Sequence, residues 1–227
     1  KRGVPGVWTY GFYDGWTPNY MFFIAHGHNA IGRFYEVQSY GPDPYEVRPG
    51  PTVTSREWFR PNPPLPVIKW GPRNNTNIQQ SGVLLSLAHV AKNREMYLEN
   101  YWIKNKRAVE KGRSGGSYGW IIPATQYRKA DAAQAVNDLR AQGLEVHKAA
   151  NGDWIVRGDQ PYRTIADMYF SVQSFAPANP RPYDDTGWTF QYMRNLVIKP
   201  IKDKSVLDQP MTLLTTEAKA PGGITGS

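Results

Sequence analysis

The stretch Tyr118–Gly158, "YGWIIPATQYRKADAAQAVNDLRAQGLEVHKAANGDWIVRG", decides the fold class of this chain. Its opening apolar run, Tyr118–Ala124, predicts a buried strand. Apolar residues then recur at helical spacing in Ala130–Gln142, which predicts an amphipathic helix that ends at Gly143, since glycine readily adopts the left-handed conformation. One face of this helix carries Ala132, Ala133, Val136 and Leu139.

A hairpin is predicted next, because Asn151-Gly152 tolerates the positive φ of a tight turn between Leu144–Ala149 and Asp153–Gly158. The segment Gln160–Gln173 predicts a helix, with a proline placed where a helix can begin. Strand, helix, strand and helix in this order indicate an α/β domain.

Two further strands are predicted upstream, Asn19–Ala25 and Ala30–Gln38, on either side of the corner "HGHN". Gly41–Arg73 then contains nine of the 19 prolines, which predicts an extended bridge without regular structure of its own. Three aromatic residues are its predicted anchors: Trp58, Phe59 and Trp70.

A long helix is predicted from about Thr76 to Gly112, where glycine would end it. Its candidate caps are Asn75, Thr76 and Asn77. We expect one apolar face of this helix to pack against the α/β layer that follows the hinge "RSGGS". That face carries Leu84, Leu87 and Leu98.

Composition excludes several kinds of site. The chain has 227 residues, of which 40% are hydrophobic, so it can build a globular core. It has no cysteine, which excludes disulfides, thiolate metal sites and cysteine nucleophiles. No apolar run approaches the roughly 20 residues that cross a bilayer, so we expect no membrane-spanning segment.

The net charge is +8, and the densest basic run is Lys104–Arg113. Cations at the end of a predicted helix suit the negative end of the helix dipole, which favours an ordinary exposed helix end over a nucleic-acid or anionic-surface patch. No nucleic-acid motif accompanies the run, so a nucleic-acid partner is not expected. An acidic protein partner remains compatible with the charge.

Histidines and paired aspartates are the candidate metal ligands. His26 and His28 form an H-x-H pair that can bind a metal, but no second ligand motif accompanies them, and the sequence predicts no metal site. His89 and His147 are expected to be structural. Asp184 and Asp185 can act as an acid pair or as metal ligands, but an N-cap for the following helix is favoured.

Glu36 is the candidate catalytic residue. If residues 31–38 form a strand, Glu36 shares one face with Gly32, Phe34 and Gln38. A glutamate is costly to bury unpaired, so the residue either pairs with an arginine or serves as a general base at the mouth of a cleft. The spacing leaves both possibilities open.

Three segments together resemble the large bacterial zinc carboxypeptidases, which are carboxypeptidase A-like metallopeptidases with a C-terminal extension. They are "FYDGWTPNYMFFIAHGHNAIGRFYEVQ", "RNNTNIQQSGVLLSLA" and "RPYDDTGWTF". The resemblance implies that Glu36 is the carboxylate that activates water, and that a full-length parent holds zinc. The family's H-x-x-E pair, its later histidine ligand and its substrate-binding arginines have no counterpart here. The chain alone is therefore expected to hold no cofactor and to be inactive.

The resemblance also implies an organisation and a location. Residues 1–40 are expected to be the end of a peptidase-type mixed sheet, 41–75 a bridge, and 76–227 a long helix with a partial, amidotransferase-like α/β domain. Its partners would be the N-terminal peptidase portion or other subunits, with a peptide substrate, in the periplasm or outside the cell. The alternative is a non-catalytic structural or binding subunit derived from the family. A third interpretation, a polysaccharide- or peptide-binding module, rests on the 14 Tyr and 8 Trp.

Overall fold

A computed structural model of the chain describes residues 20–37, 41–48, 67–172, 174 and 187–220. Five residues singled out above lie outside the described residues: Gln38, Trp58, Phe59, Asp184 and Asp185, as do two ends of predicted elements, Asn19 and Gln173.

The described ranges contain the following elements. The helices are α1 (Met21–Gly27), α2 (Pro72–Lys92), α3 (Arg94–Ser114), α4 (Lys129–Ala141), α5 (Arg163–Phe170) and α6 (Phe190–Met193), with a 3₁₀ turn at Lys204–Asp208. The strands are β1 (Tyr45–Val47), β2 (Ile68–Trp70), β3 (Gly119–Ile122), β4 (Val146–Ala149), β5 (Trp154–Arg157), β6 (Lys199–Ile201) and β7 (Met211–Leu213). No helix in these ranges combines the length and the apolar character of a membrane-spanning segment.

The chain divides into two compact units. The first unit comprises Lys1–Tyr13 and Arg33–Tyr97, and the second comprises Asp14–Gly32 and Leu98–Ser227. The division into three domains that the sequence suggested stays a prediction.

The second unit is built on a five-stranded sheet in the order β6-β3-β5-β4-β7. All four strand pairs are antiparallel, and the β4–β5 hairpin sets Val146 opposite Val156. Gly152 supplies the turn with φ +90°. The predicted strand, helix and hairpin are therefore present, and the prediction of a mixed helix-and-sheet fold is confirmed at that coarse level.

The core of the second unit lies where α4 and α5 cover this sheet. All four residues of the predicted α4 face are buried, and Val136 and Leu139 are fully so. They join Ile122, Val156 and Ile165 in one apolar cluster. Because α4 ends at Ala141 and Gly143 follows with φ +80°, the predicted helix stop is also confirmed.

The predicted strand Asn19–Ala25 is wrong, since Met21–Gly27 is the helix α1. Ile24 packs against the core cluster, and Gly27 lies so close to Ile165 that a Cβ would overlap it. These two residues are three apart, which places them on the same side of a helix and on opposite faces of a strand. The periodicity of a short apolar run does not distinguish a helix from a strand. Packing against the core cluster selects the helix here.

The predicted strand through Glu36 is also wrong, because residues 31–37 form neither strand nor helix. The Tyr35 ring packs at Gly82 of α2, and its hydroxyl bonds to the Ser86 hydroxyl. Gln79 Nε2 donates to the Tyr35 carbonyl oxygen over 3.5 Å. Contacts with a helix therefore hold this segment where the sequence had suggested a sheet ladder.

The proline-rich bridge has regular structure, contrary to the prediction. β1 and β2 pair antiparallel, with Tyr45 opposite Trp70 and Val47 opposite Ile68. Neither strand contains proline, and their β-branched and aromatic residues favour strands. Trp70 is anchored as expected, since its Nε1 donates to Asn75 Oδ1 at 2.8 Å.

The long helix predicted from Thr76 to Gly112 is two helices, α2 and α3, which are separated at Asn93. Asn93 Nδ2 donates to the His89 carbonyl oxygen at 2.8 Å, and such local side-chain bonds compete with the helical ladder. None of the predicted caps begins α2: Gly71 precedes it, and the Gly71 N–H donates to Asn74 Oδ1 at 3.1 Å.

Gly112 does not end the second of these helices, which continues to Ser114. The residue is buried against the backbone of Gly158, where a Cβ would overlap the carbonyl group. The glycine therefore allows a close approach of two backbones inside the second unit, and its presence there is not a stop signal.

The predicted packing of the leucine face is wrong as well. Leu84 and Leu87 are each 62% exposed, and Leu98 is 67% exposed. No residue of α2 is buried.

The core assignment predicts a contrast between two leucines. Leu139 is fully buried, so Leu139→Ala should lower the free energy of unfolding by about 2–5 kcal/mol. Leu98→Ala, on the exposed surface, should change it by less than about 0.5 kcal/mol. Urea unfolding of both variants measures the difference, and equal losses would contradict the assignment.

Candidate functional site

The corner "HGHN" is bound into the second unit by His28. Its Nδ1 lies 2.7 Å from the Ile24 carbonyl oxygen, and its Nε2 lies 2.8 Å from the Gln142 carbonyl oxygen. The ring also meets Tyr162 edge to face, with 5.0 Å between centroids. Since each ring nitrogen faces a carbonyl oxygen, His28 links the end of α1 to the end of α4.

Asn29 completes this link. It is buried with φ +62°, a left-handed conformation that asparagine tolerates better than most residues. Its Nδ2 donates to the Pro161 carbonyl oxygen at 2.9 Å and to Asn105 Oδ1 at 3.1 Å. The corner therefore connects α1 to α3 and to the start of α5.

The two histidines of the H-x-H pair are used differently. His26 is exposed, and its Nε2 lies 2.9 Å from the Gly32 carbonyl oxygen. Among the described residues, no three histidine, aspartate or glutamate side chains are grouped closely enough to hold a metal ion. The described part of the chain therefore does not fit a zinc centre.

Glu36 belongs to the first unit and is exposed, so the expectation of a buried strand residue is wrong. It has an interaction partner within the chain. Its neighbour Tyr35 is held on α2, and the Arg33 guanidinium lies 5.6 Å from the Tyr35 ring centroid. The backbone on one side of Glu36 is thus anchored, and the carboxylate is presented at the surface.

A cleft of about 570 Å³ opens in the second unit between α4, α5 and α6. Its lining residues are Arg128, Asp131, Asp138, Ala141, Gln142, Tyr169, Trp188, Phe190, Met193 and Arg194. One wall is aromatic. The centroid of the Tyr169 ring lies 5.3 Å from the centroid of the Trp188 ring and 5.1 Å from that of the Phe190 ring. This volume suits a small molecule or a short peptide segment.

Two ion pairs form the polar part of the cleft. Arg194 bonds to Asp138 and also lies over Phe190, 5.0 Å from the ring centroid, while Arg128 and Asp131 are 3.4 Å apart. Burial and the nearby Asp138 raise the pKa of the Tyr169 hydroxyl, against the opposite effect of Arg194. The described lining thus combines aromatic rings with paired carboxylate and guanidinium groups, an arrangement that suits the binding of a ligand with both apolar and polar parts.

Sequence reasoning missed this cleft. Asp138 and Arg194 are 56 positions apart, and only the fold brings them together. The available signal was the cluster of aromatic residues in "DTGWTFQYM".

The basic run on α3 is largely paired. Lys111 Nζ lies 2.7 Å from Asp167 Oδ2, Lys106 pairs with Glu110 at 3.8 Å, and Arg113 approaches Asp159 at 4.0 Å. These pairs support the interpretation of an ordinary helix end.

Comparisons with known proteins add no relative, since no family model, curated protein or solved structure matches the chain.

The geometry of the corner predicts different roles for its two histidines. His28→Ala leaves the Gln142 carbonyl oxygen without its ring partner, although the backbone N–H at position 28 still donates to the Ile24 carbonyl oxygen, so it should lower the free energy of unfolding by about 1–3 kcal/mol. His26→Ala, at an exposed position, should cost less than about 0.5 kcal/mol. Chemical unfolding of both variants is the measurement, and a larger loss for His26→Ala would refute the link.

His147 predicts a pH dependence of stability. Burial and then the Arg157 guanidinium lower the pKa of His147, against the opposite effects of Glu145 and Asp159, and its Nδ1 is buried without a hydrogen bond among the described residues. The unfolded chain therefore binds a proton near the ordinary histidine pKa of about 6.5, while the folded chain binds it only at lower pH. The stability that neutral His147 contributes is fully present above about pH 6.5. It is lost as the pH falls through the lower pKa that His147 has in the folded chain.

His147→Gln should therefore reduce the loss of stability between about pH 7 and pH 5, measured by urea unfolding at several pH values. His89→Gln, which makes the same substitution at an exposed histidine of α2, is the matched control. Identical profiles for the wild type and His147→Gln would contradict this assignment.

Proposed function

We propose that this chain is part of a zinc carboxypeptidase-like metallopeptidase, in which it contributes the general base and an accessory domain. Glu36 is the base. The observation that carries the proposal is the presentation of Glu36, whose carboxylate is exposed beside a tyrosine that is fixed on α2. The resemblance of residues 12–38 to that family supports the same assignment.

In this role the Glu36 carboxylate accepts a proton from the attacking water and later passes it to the departing amine. Proton transfer of this kind requires that the carboxylate be held in place and be reachable. Tyr35 provides the first condition through its bonds to α2, and the exposure of Glu36 provides the second.

Zinc is the metal that the family implies, but the residues described here do not fit a site for it. Both ring nitrogens of His28 face carbonyl oxygens, and no grouped ligand set exists among the described residues. We therefore place any zinc ligands in a parent protein outside this set. Residues 76–227 would then be the long-helix segment and the accessory, amidotransferase-like α/β domain, in a protein of the periplasm or the cell exterior.

The test is Glu36→Gln in a full-length, zinc-loaded parent, with turnover of a peptide with a free C-terminus as the readout. The substitution keeps size and hydrogen bonding but removes the base, so kcat should fall at least about 100-fold while zinc content is unchanged. Glu46→Gln alters another exposed glutamate of the first unit and should leave kcat as it is.

Activity that survives Glu36→Gln would refute the catalytic assignment. The 227-residue chain alone should show neither turnover nor stoichiometric zinc by elemental analysis, and one tightly bound zinc would show that the ligand assignment is wrong.

The second candidate is a non-catalytic binding or structural subunit derived from the same family. The cleft of the second unit favours it, because its lining offers an aromatic wall and two ion pairs that suit ligand binding. A full-length protein that binds peptides but never cleaves them, whatever residue stands at position 36, would establish this alternative.

A further inference from the structure

The helix α2 carries an exposed apolar stripe, which we name the α2 stripe. It consists of Val83, Leu84, Leu87, Ala88, Val90 and Ala91, all exposed. Spacings of three and four place these residues on one face of the helix. An apolar face of this width normally packs against another element.

The contact that the described segment before α2 makes with this helix lies on a different side of it. Tyr35 meets Gly82 and Ser86, which project away from the direction of Leu84 and Leu87 around the helix. Every buried apolar side chain of the described residues belongs to the second unit. A 21-residue helix that buries none of its residues gains little from packing, so a cover on the stripe would stabilise it.

The charge pattern identifies the kind of cover. From Asn74 to Ala91 the chain has no lysine, arginine, aspartate or glutamate. Helices that lie on membranes carry lysine and arginine along their polar face, whereas α2 has them only at its two ends, as Arg73 and Lys92. An uncharged face can meet an identical face without repulsion between like charges.

We propose that the α2 stripe binds the α2 stripe of a second copy of this chain, with the two helices antiparallel about a two-fold axis at Leu87. In this register Leu87 faces Leu87, Leu84 faces Val90, and Val83 faces Ala91. Lys92, the nearest charge, lies opposite the uncharged stretch at Gly82, so the cations do not meet. The catalytic role proposed for Glu36 does not enter this argument.

The dimer should be weak and should respond to salt in a diagnostic direction. Only one helix of each protomer forms the contact, and small interfaces of this kind are typical of transient association. Each copy carries a net charge of +8, and added salt screens the mutual repulsion. Association should therefore strengthen as salt rises, whereas an interface held by ion pairs would weaken.

The experiment is sedimentation velocity of the full 227-residue chain over a range of protein and salt concentrations. The wild type should show a concentration-dependent dimer. Leu87→Asp sets two carboxylates against each other on the axis and removes two buried leucines, so the dissociation constant should rise at least about tenfold. Leu85→Asp makes the same change on the same helix outside the stripe, at a residue that is 47% exposed, and should leave the constant within about twofold.

Circular dichroism of both variants checks that each is folded, as expected for exposed positions. A wild type that stays monomeric at every concentration would overturn the proposal, as would equal effects of the two variants. If the monomer instead sediments with vesicles of anionic lipid, the stripe binds a membrane surface and the proposed dimer is wrong.

Discussion

The contact between α4 and the five-stranded sheet is the interaction on which the second unit depends. Val136 and Leu139 are fully buried against the sheet residues Ile122 and Val156. Burial of apolar side chains of this size contributes roughly 1.5–3 kcal/mol each, so the face supplies much of the favourable free energy of this unit. Three other helices join the same cluster: α5 through Ile165, α6 through Phe190 and α1 through partly buried Ile24.

This dependence explains why residues with catalytic potential have structural roles in the corner "HGHN". Gly27 is the only buried residue of α1, so apolar packing holds this helix only weakly. Hydrogen bonds from His28 and Asn29 therefore fix its position. Such bonds position one backbone against another, for which imidazole and carboxamide groups are well suited. A pair of histidines in a sequence therefore indicates a metal only when other ligands accompany it.

The sequence predicted elements whose determinants are local. α4 has its apolar face, its stop at Gly143 and its neighbouring hairpin within the same 41 residues, and all were present in the structure. The errors arose where residues distant in sequence determine the structure. Gly112 was predicted to end a helix, but it serves the close contact with Gly158. Residues 21–27 were predicted to be a strand, but they form a helix that packs on α5. The cleft was beyond sequence reasoning for the same reason, since Asp138 lies on α4 and its partner Arg194 follows α6.

The two units differ in how far apolar burial offsets the conformational entropy that the chain loses on folding. The second unit has its own core, which offsets the conformational entropy lost on folding. The described residues of the first unit bury no apolar side chain, yet they include a helix with an uncovered stripe and an anchored, exposed carboxylate. A unit of this kind gains stability when something covers it, because burial of the stripe would add the apolar contacts that it lacks. The dimer proposed above would therefore couple association to the folding of the first unit.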